Sequence, residues 1–341
     1  MIKVGNIDIK NGRAFVIADI GSNHLQDLTI AKESIDAAIE SGADAVKFQS
    51  INLNELYLNP DLKTSNFIRK LEFPENWHKI LNDYCIKKGI IFFSSPTYLK
   101  AVDILEDINV PIYKLASAQV GTFPQIVEKV AKLNKPTIFS SGISNYEEIT
   151  KAVSIFEKHG NKKYMILHCN SIYPTPAEKV NLKLMDTYKS MFGCPVGFSD
   201  HSIGIHTSLA AVAIGAQIIE KHFTLDRKFS SPDSTQFASD PLEMKNLIDN
   251  IRNIEKSINI QNSRFKIQDE ELEFKNSIKY RVILKRNINK GEIVSKSDIN
   301  FKRFPNGIDC REVFDMTNLG EANKDLKKGN ILMMNNLNKI L

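Results

Sequence analysis

The feature that most constrains this chain is a repeating alternation over residues 14–256 of short apolar runs and longer amphipathic stretches. Strand-like runs fall at Phe15–Ile20, Ala45–Gln49, Ile90–Ser94, Ile112–Leu115, Thr137–Ser140, Tyr164–His168, Val196–Ser199 and Ile218–His222. Helical stretches follow most of them. In Leu28–Glu40, for instance, Ile30, Ala31, Ile35, Ala38 and Ile39 recur at helical spacing. Strand–helix alternation implies parallel strands joined by crossovers. Eight such units favour a closed α/β barrel of the (β/α)8, or TIM, type over an open sheet. The runs share a second property: each tends to end on a polar or charged residue. That places Asp19, Lys47, Lys114, Ser140 and Ser171 on one rim, together with His201 and His222.

The chain of 341 residues is long enough for one barrel of about 250 residues and a small module. Residues 1–262 are assigned to the barrel, 263–275 to a polar, charged linker, and 276–341 to the module. Within the module, Ile288–Ile299 resembles Leu326–Leu337: each has a Lys-Gly turn followed by two apolar residues. This predicts a small β-rich unit with internal pseudo-symmetry. No apolar run approaches the roughly 20 residues of a membrane helix, and the N-terminus does not read as a signal peptide. Four scattered cysteines without a Cys-x-x-Cys pair read as reduced thiols of a cytoplasmic protein. A net charge of +5 without an aromatic–basic cluster does not point to nucleic acid. It suits a small anionic substrate.

His201 and His222 close two consecutive strand runs. Neighbouring strands lie about 4.8 Å apart, so two imidazoles at the same end could share one divalent cation. A single histidine there would read as an ordinary strand cap; the pair favours a metal. Two protein ligands leave positions open, which suits catalysis. Asp200 and Glu220 are candidates to orient the imidazoles. Lys47 and Lys114 lie inside apolar patterns, where a cation needs a partner or an open cleft. Two on one rim suggest a cradle for phosphate or carboxylate, to which Ser117, Ser140, Ser141 and Gly142 would add donors. Asp19 is a candidate base, with a turn aspartate as the plain alternative. Tyr173, in a Tyr-Pro-Thr-Pro loop, and Asp233, in the loop after the last strand, are candidate specificity residues, although both types are common in loops.

Taken in order, Ile17–His24, Val46–Gln49, Tyr113–Ser117, Ser140–Gly142, Tyr173–Pro176, Gly197–His201, Glu220–Thr224 and Pro232–Asp233 resemble the sialic acid synthase family. These are the phosphoenolpyruvate-dependent nonulosonate synthases. The resemblance covers nearly the whole chain. The tail resembles the family's antifreeze-like (SAF) module, with Lys302-Arg303 and Gly307-Ile308 matching its arginine loop. The resemblance implies a TIM barrel plus that module, in a homodimer whose modules cap the partner barrels. It implies phosphoenolpyruvate contacts from Lys47, Lys114, Ser117, Ser140, Ser171 and Ser199, and metal ligands His201 and His222, with Mn2+ first and Mg2+ or Co2+ as alternatives. Gln49, Tyr173, Asp233 and, across the dimer, Arg303 would complete the substrate-binding set.

Two positions depart from the family pattern. Asp19 and Gln119 stand where glutamates are usual, and Gln119 cannot act as a base. Asn23-His-Leu-Gln26 replaces Asn-His-Asn-Gly; with Pro232-Asp-Ser234 it leans toward the pseudaminic acid branch. The implied reaction condenses phosphoenolpyruvate with an open-chain 2-acetamido hexose to a nine-carbon 2-keto acid and phosphate. The sugar is either N-acetylmannosamine or a diacetamido trideoxy hexose. Two other readings stay open: a Schiff-base aldolase using Lys114, and a degenerate sugar- or phosphate-binding protein on the same scaffold.

Overall fold

The structure, a computed structural model, describes residues 2–10, 12–229, 231, 233, 236–258 and 267–338. The chain forms two compact units, Met1–Asn259 and Ile260–Leu341.

In the first unit, eight parallel strands lie in the order β5-β4-β3-β10-β9-β8-β7-β6. They are β3 (Phe15–Gly21), β4 (Ala45–Ser50), β5 (Ile91–Pro96), β6 (Tyr113–Leu115), β7 (Thr137–Ser140), β8 (Tyr164–Cys169), β9 (Val196–Asp200) and β10 (Ile218–His222). The terminal strands of that order, β5 and β6, also lie side by side and close the barrel. Side chains alternate between two apolar clusters, as period-two strands require. Ala18, Val46, Phe92, Tyr113, Phe139, Ile166, Phe198 and Ile219 belong to the cluster shared with the surrounding helices. Phe15, Ile17, Ala45, Phe93, Ile138, Met165, Leu167 and Ile218 form the barrel interior. A hairpin not foreseen from the sequence, β1 (Ile2–Val4) and β2 (Ile7–Ile9), adds Ile2, Val4 and Ile9 to that interior and floors it. Two residues further along each inward row the chemistry changes to Asp19, Lys47, Lys114, Ser140, Cys169, Ser199 and Glu220. The barrel is therefore apolar at its base and polar at its C-terminal mouth, the end where such barrels place active sites. Gly197 is required by the packing: a Cβ there would lie 2.2 Å from the Ile218 carbonyl oxygen and 2.7 Å from Leu167 Cδ2.

The helices start where local chemistry dictates. Asp27 caps α1 (Leu28–Glu40) by accepting from the Thr29 N–H. Asn145 and Glu148 form a reciprocal capping box at the start of the helix Tyr146–Lys158, a device worth about 1 kcal/mol. Between β4 and the helix Glu75–Lys88 the chain makes an excursion through the helices Leu53–Leu56 and Leu62–Leu71, which the strand–helix count did not anticipate. No helix among the described residues is long and apolar enough to cross a membrane.

The second unit holds two antiparallel pairs. Tyr280–Leu284 (β11) pairs with Ile299–Arg303 (β13), and Ile293–Ser295 (β12) with Asn318–Glu321 (β14). The sequence repeat appears as matched halves. Ile288 and Leu326 exchange backbone hydrogen bonds of 2.9 and 2.8 Å, and Gly291 and Gly329 share the left-handed turn conformation (φ 86° and 83°). Each half then ends in a 3-10 turn closed by a side-chain acceptor, Asp298 or Asn336. Part of the expected linker differs from its reading. Residues 263–266 lie outside the described residues, but Asp269–Ser277 is a helix. Three of its four acidic residues sit in the first turn, where the helix dipole favours them, and Gln268 and Glu271 form a capping box. None of its residues is buried, so it lacked the apolar stripe by which helices are read from sequence.

Candidate active site

Strand register assembles the rim. Asp19 lies opposite both Lys47 on β4 and His222 on β10, and Glu220 lies opposite Ser199 on β9. All five side chains are buried. The two lysines expected to form an anion cradle each have a buried carboxylate partner. Lys47 Nζ lies 2.7 Å from Asp19 Oδ2, and Lys114 Nζ donates to Glu220 Oε1 at 2.8 Å. Ser199 Oγ donates to the same Glu220 oxygen at 2.8 Å. The physical reason is the desolvation cost of burying a cation beside an apolar interior. Burial opposes the Lys47 ammonium, but Asp19, Glu220 and Asp233 outweigh it and hold its pKa above the usual lysine value. Burial likewise opposes the Glu220 carboxylate, yet Lys114 and Lys47 hold it down at about 2. The mouth therefore carries two fixed ion pairs whose outer acceptors, Asp19 Oδ1 and Glu220 Oε2, have no hydrogen-bond partner.

A second cluster of donors stands beside Lys114. Ser117 opens a short helix, Ser117–Thr122, directly after β6, and its Oγ lies 3.2 Å from Ser171 Oγ. Gly142 lets the backbone pass close to both: a Cβ there would lie 2.4 Å from each hydroxyl oxygen. Its N–H is directed at Cys169 Sγ at 3.1 Å, and Ser140 Oγ is buried without a partner. Gln119 lies on the same short helix, and its Oε1 is a buried, unpartnered acceptor. Gln49 continues the inward row of β4 opposite Ser95.

The histidines come together as expected from their strand ends, with ring centroids 5.3 Å apart. Their orienting partners differ from expectation. Asp200 and Glu220 do not touch either ring. His201 Nδ1 is 2.6 Å from the Asn170 carbonyl, which takes its N–H and leaves Nε2 with a lone pair. Burial and the nearby His222 lower His201 to about 3, so it is a neutral imidazole. Asp200 points to the other side of β9, as period two demands, and Glu220 is committed to Lys114. His222 Nε2 is 3.7 Å from Asp19 Oδ2, and its Nδ1 has no partner. Tyr173 covers this corner, its ring 4.3 Å from that of His201. No group of three or more His, Cys, Asp or Glu side chains suited to a metal occurs among the described residues. His201 Nε2 and His222 Nδ1, with the unpartnered Asp19 and Glu220 oxygens beside them, fit a cation that takes its remaining ligands from substrate or water.

Asp233 is tied to the first loop: Ser22 donates to its Oδ2 through Oγ (2.5 Å) and N–H (3.1 Å). Gly21, at φ 53°, leaves room for it, since a Cβ there would lie 2.9 Å from that oxygen. Ser230, Pro232 and Ser234 lie outside the described residues. Arg303 belongs to the second unit, where its guanidinium lies 5.4 Å from the Tyr280 ring centroid. Sequence reading missed Glu220 as the partner of Lys114. Its alternation with Ile218 and His222 marks it as inward-facing, but the choice of lysine depends on the stagger between distant strands. Asn170 was missed because it acts through its carbonyl, which no side-chain pattern reveals.

The chain is similar to known proteins in sequence and in fold. Residues 34–263 match the NeuB family. An uncharacterized protein of Methanocaldococcus jannaschii is 42% identical over 91% of each chain. The N,N'-diacetyllegionaminic acid synthase of Campylobacter jejuni is 39% identical over 87% of this chain and 92% of its own. The N-acetylneuraminic acid synthetase of Leptospira borgpetersenii, solved with citrate, superposes with a TM-score of 0.73 at 35% identity, covering 81% of this chain and 96% of that one. With its barrel mouth and these relatives together, the chain belongs to the NeuB family of sialic acid-type synthases.

Proposed function

We propose that this protein condenses phosphoenolpyruvate with the open-chain aldehyde of a 2-acetamido hexose, releasing a nine-carbon 2-keto acid and phosphate. The observation that carries the reading is the juxtaposition, at one barrel mouth, of a hydroxyl cluster, two lysine–carboxylate pairs and two close imidazoles. Ser117, Ser140, Ser171 and the Gly142 backbone, beside Lys114, form the phosphate end. Lys47 would neutralise the carboxylate of phosphoenolpyruvate, and Ser199 would offer it a hydroxyl. Gln49, Gln119, Tyr173 and Asp233 line the sugar end, with Arg303 reaching it from the SAF-type module of a homodimer partner. His201 and His222 would hold a divalent cation, Mn2+ first. When bound, that cation polarises the sugar carbonyl.

The bonds balance as follows. C3 of phosphoenolpyruvate joins the aldehyde carbon, whose oxygen takes a proton. Water adds its oxygen to the cationic C2 and gives up a proton. The bond between C2 and the bridging oxygen then breaks, the C2 hydroxyl gives its proton to the departing phosphate, and C2 becomes the ketone. We assign the water proton to Asp19, whose Oδ1 is unpartnered, because Gln119 cannot take it. Holding both reactants in one buried mouth supplies positioning, and the fixed charges need no reorganisation.

The imine reading through Lys114 has less support, because its Nζ already donates to Glu220. Phosphate release from phosphoenolpyruvate, measured with N-acetylmannosamine and diacetamido trideoxy hexoses and repeated with borohydride, tests the proposal. Sugar-dependent phosphate release, insensitive to borohydride, is expected. Borohydride inactivation with substrate would favour the aldolase, and no release with any sugar would favour a binding protein.

A further inference from the structure

Most outward positions of the barrel strands are apolar and a few are polar, such as Ser50, Ser94, Thr137 and His168; the charged ones among the described residues are Asp200 and Lys221. They are register partners on β9 and β10, essentially unexposed, with Lys221 Nζ 3.2 Å from Asp200 Oδ2. A buried ion pair is weak as a source of stability, since apolar replacements of similar volume often serve as well. Its placement suggests another role. Asp200 immediately precedes His201, and Lys221 immediately precedes His222.

The hydrogen bonds converge on the residue after His201. Asp200 Oδ1 accepts from the Ser202 N–H at 2.8 Å and from its hydroxyl at 2.6 Å. Asp200 Oδ2 accepts from Thr207 Oγ1 at 2.9 Å and Ser208 Oγ at 2.7 Å, both on the helix His206–Ala213. Lys221 Nζ donates to the Ser202 carbonyl at 2.6 Å. Ser202 is thus held at both ends of its backbone by the pair. The neighbouring carbonyls are held too: His201 O accepts from the Thr175 N–H at 2.9 Å and His222 O from the Ser239 N–H at 2.8 Å. We propose that the Asp200–Lys221 pair is a positioning clamp. It acts through the main chain to fix the separation and orientation of the two imidazoles, so that both address one divalent cation. This rests on the reading of His201 and His222 as metal ligands.

The test compares Mn2+ binding and thermal unfolding in full-length, chelator-treated protein. Free Mn2+ is followed by electron paramagnetic resonance. Asp200→Asn or Lys221→Met alone should lower the melting temperature, because each strands a buried partner. The double variant Asp200→Asn with Lys221→Met should recover most of that loss. It should still bind Mn2+ roughly 10- to 100-fold more weakly, the range for lost outer partners of metal ligands. A double variant that melts like wild type and binds Mn2+ within twofold of it would overturn the clamp. Thr207→Val keeps the ion pair and removes one support, and covers the case in which the double variant does not fold. It should weaken Mn2+ binding about threefold, and unchanged affinity would count against the clamp. Wild-type protein that binds no Mn2+ would overturn the metal reading and the clamp together, an outcome distinct from failure of the clamp alone.

Discussion

Replacing Lys114 with methionine removes the cation that holds Glu220 at the barrel mouth. Glu220 is almost fully buried, its Oε2 has no partner, and its Oε1 would keep only Ser199. Breaking one side of a buried pair costs roughly 3–5 kcal/mol. At roughly 2–4 °C per kcal/mol for a domain of this size, the apparent melting temperature at pH 7 should fall by roughly 6–20 °C. Adding Glu220→Gln should restore most of it, because the stranded charge is gone. The pH dependence has a definite sign. In the wild type Glu220 sits at about 2, below the unfolded value of about 4.3. Its stabilising contribution is therefore full above about 4.3 and is lost as pH falls toward 2. In Lys114→Met the carboxylate loses its nearest cation and binds a proton more readily, so the gap to wild type should narrow between pH 7 and pH 4. Circular dichroism melts of the wild type, both single variants and the double variant at those two pH values provide the check. A Lys114→Met protein that melts like wild type at pH 7, or a double variant no better than the single one, would refute the electrostatic argument.

Three further outcomes follow from the geometry. Gly142→Ala places a methyl group against Ser117 and Ser171; calorimetry should show phosphoenolpyruvate binding weakened about 10-fold or more, on the scale of losing a charge-assisted hydrogen bond, with the fold kept. Asp19→Asn should lower turnover roughly 100-fold, the scale of losing a general base, whereas Gln119→Glu should be tolerated; steady-state kinetics separates the two from a mere rise in KM. Buried His24 and His78 are both held at about 4, chiefly by burial, so each stabilises the fold fully above the unfolded value of about 6.5. Urea denaturation should show that contribution draining away from about pH 6.5 down to 4, by about 1 kcal/mol per pH unit for each histidine.

Much of the site was legible because a strand has a period of two. Once Ile17, Ala45, Ile138 and Ile218 face inward, Asp19, Lys47, Ser140 and Glu220 must face inward as well. The strand-end histidines followed from the same logic. The pairing of Asp19 with Lys47 and of Glu220 with Lys114 was not legible. It depends on stagger between strands up to 106 positions apart, which no local pattern encodes. Asp200 and Glu220 both looked like partners for the imidazoles, but the alternation that turns His222 inward turns Asp200 outward. The helix Asp269–Ser277 was hidden for the opposite reason: it has helix-starting chemistry but no apolar face.

The central claim concerns which bond of phosphoenolpyruvate breaks. Phosphoenolpyruvate labelled with 18O at its bridging oxygen would be incubated with the protein and the reactive sugar, and both products read by mass spectrometry. If water adds at C2 and phosphate departs with the bridging oxygen, the label appears in phosphate and the nine-carbon keto acid takes its C2 oxygen from water at the moment of formation. Label retained in the keto acid on a time scale shorter than its exchange with water, with unlabelled phosphate released, would mean cleavage between phosphorus and oxygen and would contradict the account.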